Sequence, residues 1–321
     1  VVDNQSLAYV IDESMHNVGD KEYSTYYDLL HRINVLETDQ DREFNASSAT
    51  ETYIVGGNID PQKGEIITGL GSSSRGKLTI NGVSNGDNKS TIDGNGKTLF
   101  ELTLEKDGTT NTQVEINDTK ITNAAKVATV SADNELILNN VEISGNTSGI
   151  TNNGDLILTG NNIIANVIDG NSGATSVNSG ITTLSADLTQ TTLGILDGAQ
   201  VINDANIRAA VNNAGTITNN AAIYSSNGSS NSGTISGGEL NISGTFENTG
   251  IISDADVNIS ASSILNYITN ADNSTFSSSL IGVSTSEFNK SGATELQISG
   301  DQSGFTGISN ITEATLSFAE S

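Results

Sequence analysis

The side chains that could act as general bases are few and scattered along the chain. Its 321 residues include two histidines, His16 and His31, and both lie in the first 44 residues. Arg208 is the only basic residue between Lys126 and Lys290, and it lies in NIRAAV without an acidic cluster beside it. A serine nucleophile needs a base within hydrogen-bond reach. The repeats described below therefore offer no serine-type site, and no basic residue placed beside carboxylates for proton abstraction.

Carboxylates are the second group that could do chemistry, because glycoside hydrolysis uses a pair of them. Asp254 and Asp256 are two positions apart, so a strand would place them on one face. Other acids lie on predicted repeat strands: Glu115, Glu135, Glu142 and Asp155. In a chain with 38 Asp and Glu residues, such side chains are expected to be solvated surface. We therefore assign no catalytic residue and expect a protein that is not an enzyme.

The stretch DGNG at 93–96 contains residue types that bind calcium. It lacks the spacing and the terminal Glu of an EF-hand, and the repeats lack the nonapeptide of calcium-binding solenoids. A tight turn explains it, since Asp and Asn favour turns and Gly adopts positive φ. His31 has no second His or Cys near it, so we predict an exposed helix residue. No metal, no cofactor and no cofactor-binding residue are predicted, and ligand-binding residues stay unassigned.

The charge of the chain excludes one class of partner. Thirteen basic and 38 acidic residues give a formal net charge of −25. Such a surface repels phosphate backbones and anionic membranes, so we expect no nucleic-acid binding. No apolar run approaches the roughly 18 residues of a membrane helix, so we expect no direct membrane insertion. The acidity fits a protein kept soluble at the cell exterior, and the start at Val1 suggests a processed piece of a longer protein.

Short apolar alternations recur along the chain and predict its architecture. Leu136, Ile137 and Leu138 are followed by two Asn residues, and Leu156 to Leu158 repeat the pattern 20 positions later. Farther on, an Asn-x-Gly marker precedes an aliphatic residue; it occurs at NSGI (178–181), NAGTI (213–217), NSGTI (231–235) and NTGII (248–252). Short strands at periods of roughly 17 to 22 residues are typical of a β-solenoid. We therefore predict an all-β, right-handed parallel β-helix in which Leu136 and Leu138 point inward.

The register of such coils also predicts what the Asn residues do. Asn pairs should mark bends, and stacked Asn and Thr side chains should form hydrogen-bonded ladders along the axis. An antiparallel sandwich would instead place turn signals every 8 to 12 residues or so, about half the spacing seen here.

The first 44 residues differ from the repeats and form a predicted segment of their own. They hold four of the seven Tyr residues, and YSTYYDLLHRINVLET spaces Tyr23, Tyr26, Leu30 and Ile33 as on one face of an amphipathic helix. A solenoid leaves an open end with unpaired strand edges, which a helix near 24–36 would cover. We therefore predict two parts: 1–44, an extended segment with a short helical cap, and 45–321, the parallel β-helix repeats.

The C-terminal stretch FNKSGATELQISGDQSGFTGISNITEATLSF (288–318) resembles the passenger-associated repeat of bacterial autotransporters. The positions that fit are Lys290, Gly292, Leu296, Ile298, Gly300, Thr306, Gly307, Thr315 and Leu316, whereas Thr294 and Ala314 stand where that pattern has Gly. STIDGNGKTLF near the other end is similar to early coils of polymorphic outer-membrane β-helices. The resemblance implies a passenger or passenger fragment, secreted or displayed on the bacterial surface and often an adhesin. The membrane-anchoring barrel of that family does not occur in this sequence.

Three functions follow in order of preference. The first is a non-enzymatic extracellular adhesin, a rigid rod that contacts a receptor or glycan on a host or neighbouring cell, or copies of itself. Its turns and loops would offer their Asn, Thr and Ser ladders to that partner. The second is a structural subunit of an extracellular filament or surface layer. The third is a carbohydrate-active β-helix enzyme, as in pectate lyases and polygalacturonases. Against the third, the polygalacturonase pattern of Asn-Thr-Asp, Asp-Asp and Gly-His-Gly does not occur.

Overall fold

The computed structural model describes residues 42–46, 48–50, 52–54, 77–102, 113–270, 275–313 and 315–318. The chain divides into two compact units at the boundary between Gly173 and Ala174. Every regular element in the described residues is a β-strand. In the described residues, each unit is therefore a stack of strands.

The first unit contains short strands, and nearly all of them pair in parallel. Their bounds are β1 Arg42–Asn45, β2 Thr52–Ile54, β3 Lys77–Asn81, β4 Ser84–Asn85, β5 Asn88–Asp93, β6 Thr98–Leu102, β7 Gln113–Asn117, β8 Thr119–Thr122, β9 Lys126–Val130, β10 Glu135–Asn139, β11 Glu142–Ile143, β12 Ile150–Asn152, β13 Asp155–Thr159, β14 Asn162–Ile164 and β15 Ile168–Asp169.

The first unit is a parallel β-solenoid with three stacks of strands. One stack runs β1, β3, β7, β10, β13; a second runs β2, β5, β8, β11, β14; and a third runs β6, β9, β12, β15. Each circuit of the chain adds one strand to each stack, as from β10 through β11 and β12 to β13. The exception is the β4–β5 hairpin, an antiparallel pair that projects from its coil.

The second unit continues with strands of the same kind. Their bounds are β16 Ala174–Val177, β17 Ile181–Leu184, β18 Leu188–Ile195, β19 Gln200–Asn203, β20 Asn206–Asn213, β21 Thr216–Asn219, β22 Ala222–Ser225, β23 Ser229–Asn231, β24 Thr234–Ser236, β25 Glu239–Ile242, β26 Thr245–Asn248, β27 Ile251–Ser253, β28 Asp256–Ile259, β29 Ile264–Ile268, β30 Thr275–Phe276, β31 Ser279–Gly282, β32 Glu287–Ser291, β33 Leu296–Ile298, β34 Ile308–Ile311 and β35 Leu316–Phe318.

The second unit is likewise a parallel β-solenoid. Its first stack runs β16, β18, β20, β23, β26, β29, β32, β34, and its second runs β18, β20, β22, β25, β28, β31. The eight-residue strands β18 and β20 belong to both stacks, with a register shift in β18 between Thr189 and Thr192. The third stack runs β17, β19, β21, β24, β27, and a separate small sheet contains β30, β33 and β35.

The repeat read from the sequence is one circuit of the coil, as predicted. Leu136 is the Cα partner of Leu156, and Leu138 is the partner of Leu158. Leu136 and Leu138 are completely buried, whereas Ile137 between them is half-buried on the outer face. Alternation with a period of two therefore sets the register, because a slip of one residue would turn these leucines outward.

The predicted bend after β10 is confirmed by the backbone. Asn139 ends the strand, and Asn140 has φ of 57°, the left-handed region that Asn tolerates better than most residues. The Asn-x-Gly markers have a related role. A side chain at Gly233 would begin 2.0 Å from the carbonyl oxygen of Gly215, and one at Gly250 would begin 2.1 Å from that of Gly233. Glycine is required there because the backbones of successive coils approach closely.

The core of both units is a column of aliphatic side chains, which suits a chain with 4% aromatic residues. The second unit adds a small aromatic cluster. The ring of Tyr267 meets that of Phe276 edge-on at 5.5 Å between centroids, and Phe288 lies 6.2 Å from each. All three side chains are buried, so the cluster is part of the core of this unit.

Part of the predicted architecture lies outside the described residues. The helix expected near 24–36, with Tyr23, Tyr26, Leu30 and Ile33, falls in 1–41 and stays a prediction, as does the exposed helix position predicted for His31. Within the described ranges, no helix is long and apolar enough to cross a bilayer.

Candidate functional site: the Arg208 face

The Asn ladders exist, but their most regular members face the core. The side-chain amide of Asn213 donates to Asn231 at 2.7 Å, and that of Asn231 donates to Asn248 at 2.7 Å. These three residues are the Asn of successive Asn-x-Gly markers, and each is almost completely buried. The expectation that turn ladders serve as binding surface is therefore wrong for this ladder, since the core encloses it.

A different surface of the second unit gathers side chains able to bind a ligand. Strands β20, β22, β25, β28 and β31 lie side by side in parallel register. Two columns of register partners on these strands form what we call the Arg208 face. One column is Arg208, Tyr224, Asn241, Asn258 and Ile281, and the other is Asn206, Ala222, Glu239, Asp256 and Ser279. Ala222 is buried, and the other nine side chains are exposed or half-buried.

Arg208 lies at one end of this face, on β20. Its guanidinium carbon lies 4.6 Å from the centroid of the Tyr224 ring, and Nη1 lies 3.4 Å from Oδ2 of Asp187. A guanidinium over an aromatic ring is a favourable cation–π contact. Arg208 is held from two sides while 45% of its side chain stays exposed, and Tyr224 is 40% exposed.

Asp187 is fixed by its neighbours and keeps its charge. The backbone N–H and the side-chain amide of Asn206 each donate to Oδ1 of Asp187 at 3.0 Å. The backbone hydrogen bond from Asn206 lowers the pKa of this carboxyl most; burial opposes the shift, and the Asn206 amide and Arg208 add to it. An ionised carboxylate therefore sits beside Arg208 and offsets most of its charge.

The other end of the face is built from amides and carboxylates. Asn258 donates to the side-chain oxygen of Asn241 at 3.0 Å, and Asn241 donates to Glu239 at 3.4 Å. The hydroxyl of Ser279 donates to Oδ1 of Asp256 at 2.5 Å. These contacts hold the side chains in order along the stack and leave further donors and acceptors facing solvent.

The carboxylates singled out in the sequence are not brought together as expected. Asp256 lies on β28, whereas Asp254 lies in the turn before it with φ of 54°. The closest carboxylate neighbour of Asp256 by register is Glu239 on the adjacent strand. Both are exposed, whereas the proton donor of a glycosidase characteristically sits in an apolar pocket. The pair is better suited to accept hydrogen bonds than to transfer protons.

The acids of the first unit take part in structural contacts. Glu135 and Asp155 are register partners at the start of β10 and β13, and Glu115 lies in a different column of the same stack. Glu142 pairs with Lys120 at 2.7 Å. Burial opposes ionisation of Glu142, but hydrogen bonds from Lys120 and Ser144 and the charges of Lys120 and Lys89 lower its pKa.

The DGNG stretch forms a turn, in agreement with the sequence. Oδ1 of Asp93 accepts hydrogen bonds from the backbone of Asn95 and the side chain of Asn123, each at 2.8 Å. Asn95 has φ of 47°. Among the described residues, no three His, Cys, Asp or Glu side chains lie close enough together to hold a metal ion.

Most of the Arg208 face was not identified from the sequence. Arg208 was singled out only as an isolated base, and Tyr224, Asn241, Asn258 and Glu239 were not singled out. A signal exists in NIRA, AIYS, ELNI and DVNI, which recur every 16 or 17 residues with an inward aliphatic side chain at the second position of each. Aligning these stretches would have placed their polar third residues in one column.

Comparison with known proteins adds no relative. No protein-family model, no characterised protein and no solved structure matches the chain. Support for the function of this protein therefore comes from this chain alone.

Proposed function

We propose that this protein is a non-enzymatic β-helical adhesin of the bacterial cell exterior, and that its Arg208 face binds glycans on a host or neighbouring cell. The observation that carries the proposal is the ordered row of exposed and half-buried side chains along the two columns of the Arg208 face. Such a row combines an aromatic ring with amides, carboxylates and a hydroxyl. These groups can meet both the C–H surface and the hydroxyl groups of a sugar.

As part of this proposal, the protein is an autotransporter-like passenger. The C-terminal resemblance supports it. Lys290, Leu296 and Ile298 are among the positions that fit the repeat, and all three are buried, so packing would restrict the residue type there. The acidic chain agrees with display outside a bacterial cell. Antibody labelling of intact and lysed cells of the source organism tests this part, with labelling only after lysis as the contrary result.

Glycan binding is tested by a glycan array with the purified chain and two face variants, Arg208→Ala and Tyr224→Ala. We expect the wild type to bind at least one glycan class and both variants to lose most of that signal. Thr218→Ala is the matched control, since Thr218 is exposed in the third stack of the same unit. An array without any glycan signal from the wild type would defeat the proposal.

The alternative, a structural subunit of a filament or surface layer, differs in its assembly state. Light scattering of the purified chain separates the two functions, because an adhesin gives discrete small species and a filament subunit gives long polymers. Polymers that bind no glycan would favour the alternative.

A further inference from the structure

We infer that the ligand of the Arg208 face is a linear, uncharged polysaccharide that lies along the stacking direction of the coils. The inference assumes the glycan binding proposed above and specifies its class and direction. It starts from the register of β20, β22, β25, β28 and β31, which places one outward side chain of the column from Arg208 to Ile281 on every coil.

The spacing of the face gives the direction. Neighbouring strands of a sheet lie about 4.8 Å apart, so the row from Arg208 to Ile281 repeats at that distance over five coils. This step is close to the length of one sugar residue in an extended chain. A polysaccharide along the axis would therefore meet a new side chain of the column from Arg208 to Ile281 with each sugar residue, whereas one that crosses the strands would leave the face after one or two.

The size of the face excludes a globular protein as its main ligand. Five strands of four residues cover about 19 Å by about 14 Å, on the order of 300 Å². A stable protein interface needs about 800 Å² on each partner. The face is also flat and polar, without the buried aromatic anchor that such interfaces use. A single extended chain fits this area.

The charge of the face selects an uncharged ligand. Asp187, Glu239 and Asp256 outnumber Arg208, and Asp187 already lies 3.4 Å from the guanidinium. The whole chain carries a net charge of −25, so the surrounding field also repels anions. Glycans with uronate, sialate or sulfate groups are therefore disfavoured. Neutral hydroxyl groups can donate to Glu239 and Asp256 and accept from the amides of Asn241 and Asn258.

A length series of oligosaccharides tests the inference. Calorimetry would measure the Kd for dimers to octamers of β-1,4-glucan, α-1,4-glucan and β-1,4-mannan, with oligogalacturonate as the acidic probe. We expect one neutral series to bind with a Kd that falls at least tenfold from dimer to pentamer and then levels off. Oligogalacturonate should bind at least tenfold more weakly than the neutral pentamer.

Variants at the two ends of the face test the direction independently of length. Arg208→Ala and Ser279→Ala should each weaken binding of the pentamer, whereas at most one of them should weaken binding of the dimer. Thr218→Ala should change neither, and thermal unfolding would show that each variant is folded. Binding of a neutral glycan with one Kd for all lengths would overturn the inference and leave the proposed function standing. Preferential binding of oligogalacturonate would likewise overturn the inference and leave the proposed function standing. Failure of every glycan class to bind would defeat both the inference and the proposed function.

Discussion

Lys290 is the register partner of Tyr267 in the next coil, and both side chains are completely buried. They extend the inward column that Asn213, Asn231 and Asn248 begin. A buried ammonium is costly unless its hydrogen bonds are made. Nζ of Lys290 makes three, to the carbonyl oxygens of Gly292, Thr294 and Glu313, at 2.7 to 2.9 Å. Lys290 therefore joins the segment after β32 to the segment after β34.

Lys290→Met should loosen the last described coil. Met fills a similar volume but leaves three carbonyl groups without this donor, and each buried acceptor left unpaired costs about 1–3 kcal/mol. We expect a lower midpoint of urea unfolding and faster hydrogen exchange in Ile308–Ile311. Lys97→Met is the control, because Lys97 is exposed. Equal midpoints and exchange rates for the two variants would show that the buried ammonium adds no stability.

Tyr267 makes the fold sensitive to alkaline pH. Its hydroxyl has no hydrogen-bond partner of good geometry among the described residues. Burial raises the pKa of Tyr267 to about 12 from 10.0, and the nearby polar groups of Ile252 and Asn248 offset this only in part. The unfolded state loses the proton first as pH rises, so the stability contributed below pH 10 is lost progressively between pH 10 and about 12.

Tyr267→Phe should remove that loss, which amounts to roughly 3 kcal/mol at most for a shift of this size. The measurement is the free energy of unfolding at a series of pH values from neutral to strongly alkaline. Tyr224→Phe serves as the exposed control. If wild type and both variants lose stability in parallel above pH 10, Tyr267 is not the responsible group.

The strand register could be predicted because it depends on a strong local rule. Leu136, Leu138, Leu156 and Leu158 must all turn inward, and only one spacing of the coils allows it. The Arg208 face is harder to predict. Its outward residues differ in type from coil to coil, so the alternation alone does not relate Tyr224 to Asn241; only an alignment of the stretches that recur every 16 or 17 residues places them in one column.

The Asn-x-Gly markers show where the sequence reasoning was half right. From Asn213 onward they recur once per coil, but Asn213 and Asn231 point inward, and the prediction that turn ladders face a partner fails for them. A buried Asn is usually unfavourable. It is tolerated here because the neighbouring coil supplies its partners, and that fact becomes visible only when coils are stacked.

Leu138→Asp should abolish folding of the first unit, whereas Glu142→Ala should be much milder. Leu138 is completely buried, so a carboxylate there has no polar partner and costs several kcal/mol. Glu142→Ala removes the ion pair with Lys120. The Glu142 side chain is 22% exposed and the Lys120 side chain 39%, and partly exposed ion pairs contribute about 1 kcal/mol or less. Circular dichroism and thermal unfolding would compare them. Similar losses in the two variants would contradict the inward position of Leu138.

Asn231→Ala should destabilise the second unit more than Asn289→Ala, although both remove one member of an Asn ladder. Asn231 is buried; it accepts from Asn213 and donates to Asn248, Gly233 and Ile251 at 2.7 to 3.3 Å. Its loss leaves several enclosed groups unpaired, and we expect about 3 kcal/mol.

Asn289 is the matched control because it lies in an outward ladder. It donates to Asn266 at 3.0 Å and accepts from Asn310 at 2.8 Å. Water can replace its partners, so the expected loss for Asn289→Ala is below about 1 kcal/mol. Urea unfolding of both variants at neutral pH is the measurement. If Asn289→Ala cost as much as Asn231→Ala, burial would not be what makes the ladder matter.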